Sequence, residues 1–223
     1  MCHLGCIVFG AANLSEKEVQ GKRVIEVGAY DVNGSLRPVI ESMKPEEYIG
    51  VDIEMGPGVD MIVKGEDLVK TFGKESFDLV IATELLEHTK NWREVISNLK
   101  DICKKDGILL ITTCAIGFKY HSYPDDFWRY EIKDFKKIFS DFEILKTEKA
   151  KNSASVYLKA RKPENFREND LTEHKLYSIV VGRRIKDHQK GDLKRWRYRR
   201  MILREKVKDW FFETAGKVIP RGK

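Results

Sequence analysis

The chain has 223 residues, 42% of them hydrophobic and 10% aromatic, with a net charge of +6. That is enough apolar material for one large domain, or a domain with an appendage, and it excludes global disorder. Residues 183–223 hold 15 Lys and Arg against 5 Asp and Glu, a net of +10, so residues 1–182 carry −4 and the basic character belongs to the tail.

The first 14 residues are apolar but lack the basic start of a signal peptide and are too short to span a membrane. Cys2, His3 and Cys6 lack a fourth ligand at suitable spacing, so no metal site is expected there or elsewhere. With Cys103 and Cys114 they form no disulfide framework, which predicts a reducing, cytoplasmic setting. Ser15 reads as the cap of a short helix. Residues 1–20 are taken as an N-terminal segment packing its apolar side chains on the domain.

A first buried strand is expected over 23–27, followed by Gly28 and a polar turn through Asp31, Asn33 and Gly34. A helix over about 35–43, capped by Ser35, ends before Pro45. Tyr48–Asp52 reads as a second strand ending in an acid, and 59–62 as a short third. A helix over 65–73, a strand over 77–82 and a strongly amphipathic helix over 91–104 follow. A buried strand over 107–113 leads into a long aromatic loop, 114–130. A helix over 131–140 precedes two closely spaced strands, 142–147 and 154–161.

This alternation predicts an α/β fold: a Rossmann-like, doubly wound, mainly parallel seven-stranded sheet ending in a hairpin with an antiparallel strand. The domain is expected over 21–162, with a basic extension over 163–223 that is helical from about 192. Leu176–Gly182 fits either a strand or a helix.

A strand that breaks into a glycine turn and opens a helix offers free N–H groups to a ligand. Asp52 lies 24 residues after Gly28, where a carboxylate in such a fold accepts the two ribose hydroxyls of an adenosine ligand. A dinucleotide site requires G-x-G-x-x-G, and the second and third glycines are missing. Glu26 and Asp31 would oppose a pyrophosphate and suit a cationic sulfonium amino acid.

The segments E-V-G-A-Y-D-V-N-G, Y-I-G-V-D-I, G-E-D-L, F-D-L-V-I-A-T-E-L-L-E-H and D-G-I-L-L-I-T-T, in this order, resemble the successive motifs of class I S-adenosylmethionine-dependent methyltransferases over about residues 20–160. The resemblance implies a methyl transfer from S-adenosyl-L-methionine, leaving S-adenosyl-L-homocysteine. It implies that Glu26 and Gly28 lie beside the methionine part, with Ala29, Tyr30, Asn33 and Gly34 in the adjoining loop. Asp52 would hold the ribose and Ile53 the adenine, with Asp67 and Leu68 flanking the adenine amino group. Thr83, Glu84 and Leu85 would stand where cofactor meets substrate. Tyr30 and Val32 depart from the family's glycines.

The stretch from His121 to Tyr130 also resembles a segment of a subset of these enzymes. His121 and Asp125 are candidate catalytic residues, and Tyr123, Trp128 and Arg129 candidate substrate contacts. The competing readings are a structural loop histidine and an Arg129 paired with an acid. Glu87 and His88 read as structural, since neighbours do not share a helix face. The Asn/Asp-Pro-Pro-aromatic motif of base-amino methyltransferases is absent, Ala82-Thr83-Glu84-Leu85 standing in its place.

The expected acceptor is therefore an oxygen or nitrogen of a small molecule, saccharide or lipid-linked glycan. The alternatives are a non-catalytic cofactor-binding module, an RNA methyltransferase using the basic tail, or a nicotinamide dehydrogenase. In the tail, Leu193, Trp196, Leu203, Val207, Trp210, Phe211 and Val218 fall near one face of a helix expected over 192–219. That stripe suits packing on its own domain, homodimerisation or an anionic membrane surface, and nucleic acid through Arg197, Arg199 and Arg200 is the weaker reading.

Overall fold

The computed structural model describes residues 4–121 and 125–218, with side chains as far as Val207. Cys2, His3, Tyr123 and the end of the tail lie outside the described residues.

Seven strands form one sheet in the order β3-β2-β1-β4-β5-β8-β7. They are β1 (Arg23–Val27), β2 (Glu47–Asp52), β3 (Met61–Ile62), β4 (Phe77–Thr83), β5 (Cys103–Cys114), β7 (Glu143–Lys149) and β8 (Ser155–Arg161). The pairs among β3, β2, β1, β4 and β5 are parallel, and β8 lies antiparallel between β5 and β7. The expected hairpin thus folds back so that its second strand, not its first, pairs with β5, and the first forms the sheet edge.

The central strands are apolar on both faces because helices cover both. Side-chain alternation separates the faces. Ile25, Val27, Val80, Ala82, Leu109 and Ile111 join α4 (Leu68–Phe72), α5 (Trp92–Ile102) and α6 (Ile132–Ile138) in one core. Val24, Leu79, Ile81, Ile108 and Leu110 join α1 (Leu4–Asn13), α2 (Glu16–Val19) and α3 (Arg37–Ser42) in the other. The N-terminal residues are therefore part of that second core through Cys6 and Phe9. Ser15 takes the expected cap, its backbone N–H donating to Glu18 Oε2 at 2.9 Å.

Several boundaries differ from expectation. β5 begins at Cys103 rather than 107. The helix expected over 65–73 is a 3-10 turn, Gly65–Asp67, leading into α4. The ambiguous segment resolves as β9 (Leu176–Ser178) and a turn, then β10 (Arg183–Ile185). With β6 (Trp128–Arg129) these form a second sheet, β10-β9-β6. Long-range pairing made the choice that local pattern left open.

The start of the tail is docked. Tyr198, at 2% exposure, donates its hydroxyl to Asp125 Oδ1 at 2.9 Å. The helix α7 runs Trp196–Val218, after a 3-10 turn at Asp192–Lys194, so it begins later than expected. Trp196, Leu203 and Val207 of the anticipated stripe are 73%, 62% and 45% exposed. Among the described residues no helix is long and apolar enough to cross a membrane.

Two buried charges lock this arrangement. Lys100 of α5 is fully buried and gives its ammonium to Asp141 at 2.6 Å, to the Ile138 carbonyl at 2.7 Å and to Asn169 at 3.2 Å. Lys100→Ala leaves Asp141 buried without its cation, so the expected loss is about 3–5 kcal/mol in denaturant unfolding. A loss below about 1 kcal/mol would remove the ion pair from this role.

His188 packs against Trp128, ring centroids 4.5 Å apart, and its side chain has no exposed surface. Burial lowers its pKa to about 4, Asp192 opposing the shift and Lys90 adding to it. The unfolded chain then binds the proton more tightly, near the usual 6.5, and stability must fall as pH drops from about 6.5 to 4. The loss reaches about 3 kcal/mol. His188→Asn should flatten the stability profile over that window, measured by urea unfolding at stepped pH.

Candidate functional site

The crevice opens at the carboxyl ends of β1, β2 and β4. Gly28 ends β1 at φ +81°, and its N–H and that of Ala29 both donate to the Val51 carbonyl, at 2.9 and 3.1 Å. Glycine takes that conformation without strain, and an added Cβ would lie 3.2 Å from Leu85. This pair of hydrogen bonds ties the end of β1 to the end of β2 and so places Asp52. Tyr30 N–H donates to Asp52 Oδ2 at 3.1 Å, and Ile53 N–H to Oδ1 at 2.7 Å. Each oxygen keeps further acceptor capacity toward the crevice. Ile53, 52% exposed, offers an apolar platform beside it.

The crevice, about 270 Å³, is also lined by Val27, Val32, Val63, Lys64, Gly65, Glu66, Leu85, Thr89 and Phe127.

Glu84, His88 and Asp125 complete its wall. Glu84 sits at φ +51°, a conformation few non-glycine residues adopt. Its N–H donates to Thr112 O at 2.9 Å, and the thiols of Cys6 and Cys114 donate to its two oxygens at 3.5 and 3.3 Å. Burial, then the neighbouring Glu87, pushes the Glu84 carboxyl well above the usual range. Glu87 is fully buried too, and burial pushes its carboxyl upward, but His88 and His121 outweigh this and hold it below the usual range. Two carboxyls three residues apart are thus driven in opposite directions.

The Phe127 and Trp128 N–H groups donate to the Glu87 carbonyl at 2.8 and 3.2 Å, stitching the loop after β5 to the turn after β4. His88 Nδ1 lies 2.6 Å from the Asp125 carbonyl. A carbonyl only accepts, so Nδ1 carries the hydrogen and Nε2 the lone pair. That Nε2 is buried and has no hydrogen-bond partner among the described residues. Burial lowers the pKa of this imidazole.

The structure brings Gly28, Tyr30, Asp52, Ile53, Glu84, Leu85 and Asp125 of the sequence candidates to the crevice. Others it does not. Glu26 and Thr83 lie behind the wall, where the Tyr48 and Thr83 hydroxyls both donate to the Glu26 carboxyl and burial raises its pKa. Ala29 turns back onto Gly50, where an added Cβ would come within 3.0 Å of its own. Asn33 and Gly34 follow the turn toward α1, and a Cβ on Gly34 would meet Ile7 at 2.9 Å.

Asp67 and Leu68 are displaced by the tight 3-10 turn. Leu68 is fully buried, Asp67 faces outward near Lys70, and Glu66 takes the place beside the crevice. Trp128 and Arg129 are corrected from substrate contacts to loop anchors. Trp128 Nε1 donates to Thr89 O at 3.0 Å. Arg129 is 1% exposed and grips Asp126 with both terminal nitrogens, one at 2.6 Å. His121 stands behind His88, ring centroids 4.9 Å apart, outside the crevice lining.

The crevice histidine is therefore His88, which the sequence reading set aside. That reading assumed a helix after β4, whereas residues 84–91 form turns, and adjacent side chains there both face inward.

A family model described as a methyltransferase domain matches residues 10–147, more than half of the chain. An (S)-coclaurine N-methyltransferase of Thalictrum flavum subsp. glaucum is 26% identical over 108 residues, 48% of this chain, and the chain covers only 30% of that enzyme's length. The crystal structure of Burkholderia thailandensis 1,6-didemethyltoxoflavin-N1-methyltransferase, with bound 1,6-didemethyltoxoflavin and S-adenosylhomocysteine, superposes with a TM-score of 0.58 at 12% identity. The match covers 71% of this chain and 79% of that one. An S-adenosylmethionine-dependent methyltransferase from Mesorhizobium loti gives 0.53 at 15% identity, over 68% and 94% of the two chains. With its seven-stranded Rossmann-like sheet and matching domain, this chain belongs to the methyltransferase-domain family, whose methyl donor is S-adenosylmethionine.

Proposed function

We propose that this protein transfers a methyl group from S-adenosylmethionine to an oxygen or nitrogen of a small molecule, saccharide or lipid-linked glycan. The observation that carries the proposal is Asp52, whose two oxygens are aimed by separate backbone N–H groups beside the Gly28 turn and the Ile53 platform. That pair of acceptors suits two ribose hydroxyls, with Ile53 for an adenine face, and the turn after Gly28 lets the backbone run close to the amino-acid end. The cofactor brings a methyl already activated on a sulfonium, so the protein's task is positioning.

His88 and Asp125 line the same crevice as Asp52. The lone pair of His88 Nε2 has no partner among the described residues and is suited to an N–H or O–H of the acceptor, whose lone pair it would orient. This replaces His121 in the acceptor-side role, because His121 Nδ1 is engaged with Asp126 and its ring lies one layer back. The N-methyltransferase names of two relatives support a nitrogen acceptor, and the missing Asn/Asp-Pro-Pro-aromatic motif weighs against a nucleobase amino group.

Asp52→Ala should weaken S-adenosylhomocysteine binding about 100-fold, the loss of two hydrogen bonds to a charged group. Calorimetry reads the affinity, and thermal unfolding should stay cooperative; an unchanged affinity would remove Asp52 from the ribose role. Labelled cofactor incubated with fractionated extract should place label in small-molecule or glycan fractions. Label in RNA would overturn the acceptor class. Cofactor binding with no label in any fraction would overturn the enzymatic reading in favour of a binding module.

A further inference from the structure

Behind the crevice lies a cluster that the methyl-transfer reading leaves unused. Glu87 comes from the turn after β4, Cys114 is the last residue of β5, and His121 lies in the loop that follows. One ligand-type atom from each lies within 4.8 Å of the other two, and both Glu87 and Cys114 are fully buried. Glu87 Oε2 accepts the Thr113 hydroxyl at 2.7 Å, while Oε1 is buried with no hydrogen-bond partner among the described residues. A carboxylate oxygen left bare in the interior is costly, and native structures rarely keep one without reason. Glu87 Oε1 lies 4.0 Å from His121 Nε2, too far for a hydrogen bond, and a tetrahedral ion held by both would draw them together by about half an ångström.

The surroundings of His121 match that arrangement. Its Nδ1 lies 3.2 Å from Asp126 Oδ2, so the ring hydrogen sits on Nδ1 and the Nε2 lone pair faces Glu87. Asp126 also accepts the His121 backbone N–H at 3.0 Å and is clamped by Arg129. A carboxylate behind the far nitrogen of a histidine is the usual support of a metal ligand, since it sets the tautomer and the ring angle.

We propose that Glu87, Cys114 and His121 bind a zinc-type divalent cation. The thiol and imidazole select a borderline-soft metal over magnesium or calcium, which require oxygen ligands. Charge also balances: a carboxylate and a thiolate neutralise the ion, so the buried complex carries no net charge. The thiol proton, now directed at Glu84 Oε2 at 3.3 Å, leaves Cys114 on binding and passes to solvent. Three protein ligands leave one coordination position open, the pattern of reactive rather than purely structural sites. The ion would join the ends of β4 and β5 to the loop that carries Asp125. His88, whose ring neighbours that of His121, separates it from the crevice. The inference goes beyond the methyl-transfer reading and does not depend on it.

The test uses the full chain, stripped with chelator and titrated with Zn²⁺ alone, without cofactor or acceptor. One ion should bind per chain, and Glu87→Gln, Cys114→Ala and His121→Ala should each weaken binding at least tenfold while melting like the parent in chelator. Cys2→Ser combined with His3→Ala should bind normally; loss of the ion there would move the site to the N-terminus and overturn the assignment. Cobalt(II) in the unaltered chain should give a thiolate-to-cobalt charge-transfer band, a readout that survives if a core variant fails to fold. No bound zinc, a cobalt spectrum without that band, or binding of Mg²⁺ in preference to Zn²⁺ would each overturn the proposal.

Discussion

Two backbone hydrogen bonds to one carbonyl hold the site in place. Gly28 and Ala29 both donate to Val51, at the point where β1 and β2 run out side by side. Because the strands are parallel, their carboxyl ends emerge on one edge, and a crevice forms where the chain must turn away. Gly28 makes the turn with a positive φ that other residues adopt only under strain. Asp52, one residue past the shared carbonyl, then has its oxygens set by the N–H groups of Tyr30 and Ile53. Position of the acid and path of the loop are one constraint.

The facing wall is built by a different device. Glu84, at a strained left-handed position, begins a run of turns instead of a helix, and this folds Glu84 and Glu87 inward together. The loop after β5 is then stitched to that run through the Glu87 carbonyl. Asp126 and Arg129 stiffen the loop from within, and Tyr198 braces it from the tail by holding Asp125. A segment that composition marks as a basic appendage thus begins as part of the site's support. The sheet β10-β9-β6 makes the same connection through the backbone, and Arg93 reinforces it by donating to the Leu171 and His174 carbonyls at 2.8 and 2.7 Å.

Legibility followed the range of the interaction involved. Gly28, Asp52 and Ile53 could be read from local signals: a glycine after an apolar run, and an acid at the end of the next. Asp67 was chosen where Glu66 lines the crevice, because one residue of 3-10 turn rotates the side chains and leaves no mark on the motif. The rule that adjacent residues do not share a face holds for helices and points away from His88, but residues 84–91 are turns. Trp128 and Arg129 stood out by residue type, and the structure commits both inward.

The alternation of strands and helices from β1 to β5, the buried character of β4 and β5 and the amphipathic α5 were determined by the sequence itself, whereas α1 and β6 were not. Periods of two and of 3.6 residues are local, and burial on one face or both writes them directly into the chain. Tertiary structure alone decided that β8 inserts between β5 and β7. It also decided that 176–185 pairs with β6, and that Trp196, Leu203 and Val207 face outward while Tyr198 goes in. Those outcomes depend on partners far away in sequence, whose hydrogen bonds and apolar contacts outweigh the preferences of any short window.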